Sequence, residues 1–300
     1  MVIHARSRLS EASSARRDLE VHLVGGLGNQ LFTYVAGLRF AEMSNRQVRV
    51  NVSLLERGEY SHQNSSIQDL LDPSIVGSRG YWRSRFLLFF RKRLNSLRPA
   101  LLTDSVQNPQ TMLASAKTVH LFGYFQDMGH VEPRFTGELS AQLRIRSGSA
   151  WMSAMRTEAT LSQPICIHIR RGDYLNLRDT YGILGSEYFR QGIQRLRASG
   201  QSGPLWIFTD SPRELEADPN FHFEDGQILI NEPPETSALD VLTVMKACSS
   251  FIISNSTFSY WAAMFSDSNL VVAPRIWSYS QAFEGPRFPQ NWLLEDPNWL

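Results

Sequence analysis

Hydrophobic positions recur along this chain with two periods, and the switches between them lay out its elements. "VHLV" (Val21 to Val24) reads as a first core strand, and "GGLGNQ" follows it. From about Gln30 to Met43 the apolar residues Leu31, Tyr34, Val35, Leu38 and Ala41 have the spacing of one helix face. "QVRVNV" alternates as a strand, "VHLFGYFQ" (Val119 to Gln126) reads as another, and Trp151 to Leu161 is helical. A more regular series comes next. It runs from strand "ICIHI" (Ile165 to Ile169) to helix "SEYFRQGIQRLR", with Ser186 as its cap, and strand "LWIFT". It continues with "SPRELEA", where Pro212 suits a first helical turn, and a strand near Gln227 to Ile230. Helix "TSALDVLTVMKAC", strand "FIIS", helix "FSYWAAMF" and strand "LVVAP" complete it.

Strands and helices alternating at these distances predict a parallel, doubly wound sheet in the second half. The first half is similar but is interrupted near 55 to 115, and "RIRSGSA" breaks the pattern near 140 to 150. The expected organisation is a flexible tail over 1–20, a first domain over 21–148 and a second over 149–300. No internal repeat or low-complexity tract is visible.

Composition narrows the class. At 42% hydrophobic and 20% charged residues, 300 residues fit a soluble globular protein with a sizeable core. The formal net charge of +1 provides no global field for nucleic acid, so no nucleic-acid partner is expected. Positive charge is almost all arginine, the lysines being Lys92, Lys117 and Lys246. Cys166 and Cys248 show neither metal-ligand spacing nor a disulfide framework, Cys166 in its apolar run reads as a buried thiol, and a reducing compartment is expected. No stretch approaches the ~20 apolar residues of a membrane span. The opening "MVIHARSRLSEASSARRDLE" lacks the apolar region of a leader, so a cytoplasmic location is expected.

Candidate chemistry gathers where strands end. "ICIHIRRGDY" runs a buried-looking strand into two adjacent arginines, with Gly172 marking a turn. Alternation sets Cys166, His168 and Arg170 on one face. Ligands of open α/β sheets bind beyond the carboxyl ends of the strands, and a guanidinium forks onto phosphate oxygens as lysine does not. Asp173 can hold one arginine in place. A salt-bridged strand end without ligand is the plainer alternative. "GGLGNQ", with Gly26 and Gly28, is either a simple tight turn or a loop whose backbone approaches a ligand, and Asn29 is its one bonding side chain. It is neither a dinucleotide fingerprint nor a Walker loop. "SNSTFSYWAAM" again joins a strand to a helix. Ser256 and Thr257 either cap that helix or, with Asn255, meet an anion, while Phe258 is core or pocket wall. Asp240 is an acid in an apolar helical stretch, either solvent-facing or accepting N–H bonds from a base edge. Asp210 ends a strand, where it touches a ribose or caps the next helix. Tyr124 and Gln126 in "GYFQ" end a first-half strand. No Asp-x-Asp pair and no His/Cys/Asp cluster for a metal is visible, so arginines and helix ends would have to stabilise a leaving diphosphate.

Taken together, "GGLGNQLFTYVAGLRFA", "HIRRGDY" and "SNSTFSYWAAMF" resemble the α1,2-fucosyltransferases of glycosyltransferase family 11, over about Val21 to Pro274. The arginine stretch and the leading Gly-Asn-Gln loop alone are shared with the α1,6- and protein O-fucosyltransferases. The resemblance implies an α/β GT-B architecture: two Rossmann-like domains facing across a cleft, acceptor on the first and donor on the second. It implies GDP-β-L-fucose as co-substrate, transfer with inversion, and neither metal nor other cofactor. Arg170 then matches the arginine on the β-phosphate, and His168 and Arg171 belong to the same donor motif. Asp240 resembles the acid that reads guanine. Ser256, Thr257 and Phe258 match the loop around the diphosphate, and Asn29 the asparagine near the reacting sugar. No catalytic base is assigned; Asp173 supports the arginines, and Asp179 and Glu187 have no motif behind them.

The expected activity is fucosyl transfer to the 2-hydroxyl of a terminal galactose on an oligosaccharide, in bacterial surface-polysaccharide or O-antigen synthesis. The alternatives are a GDP-fucose transferase of different linkage or acceptor and a non-catalytic nucleotide- or glycan-binding module. One stretch remains outside this scheme. "GYWRSRFLLFFRKRLNSLRPA" (Gly80 to Ala100) is basic, has no acid between Asp72 and Asp104, and brings Trp82, Phe86, Phe89 and Phe90 near one helical face. It is either a first-domain helix with a solvated basic face or a peripheral helix on anionic lipid, where a lipid-linked acceptor would lie.

Overall fold

A computed structural model describes residues 17–56, 66–78, 80–82, 84–86, 101–104, 109–115, 117–280 and 288–300. The chain forms two compact units, Met1–Thr136 and Gly137–Leu300. The expected pair of parallel α/β domains is present.

The first unit holds β1 (Asp18–His22), β2 (Gln47–Asn51), β3 (Val76–Gly77), β4 (Leu101–Thr103) and β5 (Thr118–Phe122). Their order is β3-β2-β1-β5-β4, with every pair parallel. In "DLEVH" the apolar positions Leu19 and Val21 alternate with Glu20 and His22, so one face is apolar and the other polar. The helix Leu27–Met43 covers the apolar face. A Cβ on Gly37 would lie 2.5 Å from Val21 Cγ2, so glycine permits this approach.

Some boundaries differ from the sequence pattern. β1 starts at Asp18, inside the expected tail, because Leu19 continues the period-two alternation backwards from Val21. The first helix starts at Leu27 rather than Gln30, which puts Gly28 and Asn29 in its first turn behind an extended Gly26. β5 ends at Phe122, where Gly123 (φ +142°) and Phe125 (φ +49°) turn the chain out of the sheet. Beyond Phe86, the basic stretch up to Ala100 lies outside the described residues.

The second unit contains β6 (Ile165–Ile169), β7 (Leu205–Thr209), β8 (Ile228–Leu229), β9 (Ser250–Ile252), β10 (Val271–Pro274) and β11 (Leu293–Glu295). Their order is β11-β10-β9-β6-β7-β8, all pairs parallel. Counted from β6, this is 3-2-1-4-5-6 read from the β8 edge, the doubly wound order. Every residue of β6 is buried, as a parallel strand covered on both faces requires. Ile165, Ile167 and Ile169 pack with Tyr188, Phe189 and Ile193 of the helix Ser186–Ala198. Gly185 takes the cap position of that helix, so Ser186 does not cap it. Cys166 is a buried free thiol, as expected, and so is Cys248.

Candidate functional site

The doubly wound order creates a crevice between β6 and β9, whose following helices leave on opposite faces of the sheet. The turn after β6 carries Arg170, Arg171, Gly172 and Asp173. Asp210, at the end of neighbouring β7, organises that turn. Its Oδ1 accepts the backbone N–H groups of Arg171 (2.9 Å) and Gly172 (3.1 Å), and its Oδ2 lies 3.0 Å from Arg170 Nη1. A Cβ on Gly172 would sit 2.4 Å from the same Oδ2, so glycine lets the turn close onto the carboxylate. Arg170 Nη2 donates to Asp173 Oδ1 at 2.6 Å, and its guanidinium lies 5.5 Å from the Tyr174 ring centroid. The cation is thus fixed on several sides, yet 26% of its side chain stays open to solvent.

The adjacent arginines divide. Arg171 turns inward, with its guanidinium 4.2 Å from the Phe221 ring centroid and Nη2 3.3 Å from Asp218 Oδ2. Its Nε is buried without a hydrogen-bond partner. Arg170 is therefore the cation available to an incoming anion, and Arg171 anchors the turn.

His168 and Ser254 join the two sides of the crevice. His168 Nδ1 lies 2.7 Å from Ser254 Oγ, beyond the end of β9, and the imidazole centroid is 6.0 Å from that of Phe258. Burial lowers the His168 pKa to about 3, and the nearby Arg170 charge pushes the same way, so the ring is neutral at neutral pH. Tyr174 donates its hydroxyl to the Asn255 carbonyl at 3.0 Å, and burial pushes its pKa up, so it stays a donor. Asn255 is committed to the fold: its amide donates to the carbonyls of Tyr181 (2.9 Å) and Trp277 (3.1 Å). Ser256 occupies the cap position of the helix Thr257–Phe265 but makes no side-chain capping bond, unlike the capping reading. Thr257 and Phe258 lie half-buried in the first turn.

Asp240 makes its contacts elsewhere in this unit. It is buried and pairs with Arg146, and its Oδ2 accepts the Ser149 N–H at 3.0 Å. Burial alone would raise its pKa, but the bonds from Arg146 and Ser149 hold it below the ordinary carboxylate value. These contacts lock the entry to the helix Ala150–Ser162. Asp240 is therefore not solvent-facing. Asp210 does not cap the helix Pro212–Glu216 either, because Ser211 occupies that position.

In the first unit, Gln126 Nε2 donates to Asn29 Oδ1 at 2.8 Å, joining the loop that follows β5 to the first turn of the helix that follows β1. Gln30 Nε2 donates to the Gly25 carbonyl (2.9 Å) and its Oε1 accepts the Ile67 N–H (3.1 Å), while Thr33 Oγ1 donates to the Gly123 carbonyl (2.8 Å). Gln126 Oε1 is buried without a partner, and Tyr124 is 39% exposed beside it in sequence. Gly25 holds the turn with φ +77°. Gly26 has open space around its missing Cβ, and Gly28 is buried.

Sequence reasoning missed Ser254 and Asp218 as partners of the arginine motif, and the triple use of Asp210. It also missed a meeting of Glu20, His22 and His120 on the polar face of the first sheet. The parallel β1–β5 pairing, which sets Glu20 opposite His120, brings the cluster together, and no local sequence signal marks it.

The profile of glycosyl transferase family 11 matches residues 9–296. An O-antigen biosynthesis glycosyltransferase, WbnK, of Escherichia coli is 24% identical over 294 residues, covering 85% of this chain and 93% of its own. An alpha-1,2-colitosyltransferase of Escherichia coli is 24% identical over 271 residues, covering 85% of this chain and 90% of its own. Among solved structures, the fucosyltransferase NodZ from Bradyrhizobium superposes with a TM-score of 0.51 at 14% identity, covering 84% of this chain and 94% of its own.

Proposed function

Because the chain belongs to glycosyl transferase family 11, we propose that it transfers L-fucose from GDP-β-L-fucose, with inversion, to the 2-hydroxyl of a terminal galactose. The observation that carries this reading is Arg170, a partly open guanidinium held by two carboxylates at the crevice between β6 and β9. As the glycosidic bond stretches, negative charge grows on the leaving diphosphate. A preorganised guanidinium is most useful where that charge appears, and one such donor is worth about 10²–10³ in rate. In this reading Arg170 exchanges its exposed partner Asp173 for the diphosphate and keeps Asp210 as its anchor. Neutral His168, tied to Ser254, adds no competing charge beside the phosphate. No metal is needed on the diphosphate. The second unit is the donor domain, and Asn29, Gln126 and Tyr124 of the first belong to the acceptor side.

The relative named for O-antigen biosynthesis supports a surface-polysaccharide acceptor. The colitosyltransferase relative favours one second reading, a colitosyl rather than a fucosyl donor. For a lipid-linked acceptor we propose peripheral membrane association through Trp82 (71% exposed) and Phe86 (55% exposed), which open the basic stretch. Among the described residues no helix is long and apolar enough to cross a membrane.

The test is to offer the purified protein GDP-fucose and GDP-colitose with galactose-terminated oligosaccharides and to determine product linkage by NMR. A 2-O-linked α-fucosyl galactose bears the proposal out. A colitosyl product alone favours the second reading, and another linkage moves the enzyme within its family. Tight GDP binding with no product from any acceptor identifies a binding module.

A further inference from the structure

We propose that Glu20, His22 and His120 form a binding site for a divalent transition metal of the zinc class, built into the first sheet. Glu20 and His22 occupy alternate positions of β1 and so share one face. Parallel pairing sets His120 of β5 opposite Glu20. His22 Nε2 lies 3.1 Å from His120 Nδ1. One oxygen of Glu20 is 3.2 Å from His120 Nδ1, and the other is 3.8 Å from His22 Nε2. Ligand atoms ~2.0–2.1 Å from a tetrahedral ion are about 3.3–3.4 Å apart, which falls within this spread.

The single proton or lone pair of His120 Nδ1 has to be shared to serve both of its close contacts. A ring nitrogen carries either one proton or one lone pair. His120 Nδ1 faces two partners at bonding distance, and one of them, the carboxylate, only accepts. A cation among the three groups takes a lone pair from each, and two imidazoles with one carboxylate suit zinc, cobalt or nickel rather than calcium or magnesium.

Supporting contacts orient the ligands. Asn51 Nδ2 donates to Glu20 Oε1 at 2.6 Å, and Asn51 Oδ1 is fixed by the N–H (3.0 Å) and hydroxyl (2.7 Å) of Ser53. The His22 ring stacks on Phe122 with centroids 3.9 Å apart. The histidines are buried, while Glu20 keeps 24% of its side chain open, which gives an ion a way in. Such an ion clips β1 to β5 just before the segments that Asn29 and Gln126 join. With three protein ligands its fourth position is left to water, and it takes no part in the diphosphate chemistry proposed for the other unit.

The test uses full-length, untagged, chelator-treated protein titrated with Co²⁺ and followed by visible absorption and thermal unfolding. The expected result is the intense visible band of a four-coordinate ion saturating at one equivalent, loss of the band on adding Zn²⁺, and a raised Tm. His120→Gln should remove the band. Asn51→Ala, which leaves the ligands in place, should weaken metal binding about 10–100-fold. No band and no Tm shift in the wild type overturns the site whatever the variants do. A band that survives unchanged in both variants overturns it as well, because the ion then binds elsewhere.

Discussion

Replacing Asp210 by asparagine keeps the size of the side chain and removes its charge. Three contacts depend on that carboxylate: N–H bonds from Arg171 (2.9 Å) and Gly172 (3.1 Å) and the ion pair to Arg170 (3.0 Å). The amide oxygen in the place of Oδ1 can still accept both N–H groups, though more weakly than a carboxylate, but the amide nitrogen then faces Arg170 and opposes it. A hydrogen bond to a charged group contributes ~1.5–3 kcal/mol, and partial exposure trims the ion pair toward ~1 kcal/mol. The net loss at the transition state is about 2–3 kcal/mol, or about 30- to 150-fold in kcat/KM at ~1.36 kcal/mol per tenfold. Initial rates of GDP release across donor concentrations measure it, with thermal unfolding as the control for fold. Gly172→Ala forces the same contact apart, since its Cβ would sit 2.4 Å from Asp210 Oδ2. It should lower the rate similarly, and the double variant should lose less than the product of the two. An Asp210→Asn enzyme with wild-type kcat/KM and an intact fold would refute the reasoning.

Arg170→Lys should lose about 10²-fold or more in turnover, because an ammonium cannot fork onto a diphosphate while it stays bonded to Asp210, whereas chelator should leave turnover intact; steady-state kinetics decide both. His168 has a folded pKa of about 3 against an ordinary 6.5, so below 6.5 the unfolded chain takes a proton that the folded chain refuses. Its contribution to stability is therefore lost as pH falls from about 6.5 toward 3, and denaturant titrations should show His168→Gln flattening that part of the curve. Asp240→Ala leaves Arg146 without its partner and should cost ~2–4 kcal/mol in chemical denaturation, somewhat less than a fully buried pair because Arg146 is 17% exposed. If GDP affinity falls while stability does not, Asp240 reads the base instead. Trp82→Ser with Phe86→Ser should reduce co-sedimentation with anionic vesicles, and wild-type binding should weaken with salt.

The second unit was legible because its strands and helices alternate at regular distances along the chain. β6 is buried along its whole length and apolar but for His168, and the turn that leaves it shows its arginines in sequence. Asp173 was readable as an arginine partner because it lies three residues from Arg170, within reach of a local turn. The work of Asp210 was not readable, since its contacts span 38 and 39 residues and depend on β7 lying beside β6. The Glu20, His22 and His120 cluster was hidden in the same way, with His22 and His120 separated by 98 residues. The first helix began earlier than expected because tertiary packing overrides the poor helix propensity of Gly28. Two-residue β3 and three-residue β4 and β11 carry too little periodicity to stand out. A buried Asp240 paired with Arg146 could not be told from a solvated one, because the pair closes between a helix and a loop 94 residues apart in sequence.

The central claim is that Arg170 meets the phosphate that leaves with the nucleotide. Calorimetric titration of GDP and GMP into the wild type and Arg170→Ala tests it most directly. The account predicts that the wild type prefers GDP, which carries the β-phosphate, and that the preference collapses in the variant while GMP affinity changes little. An undiminished preference for GDP in a folded Arg170→Ala protein would contradict it.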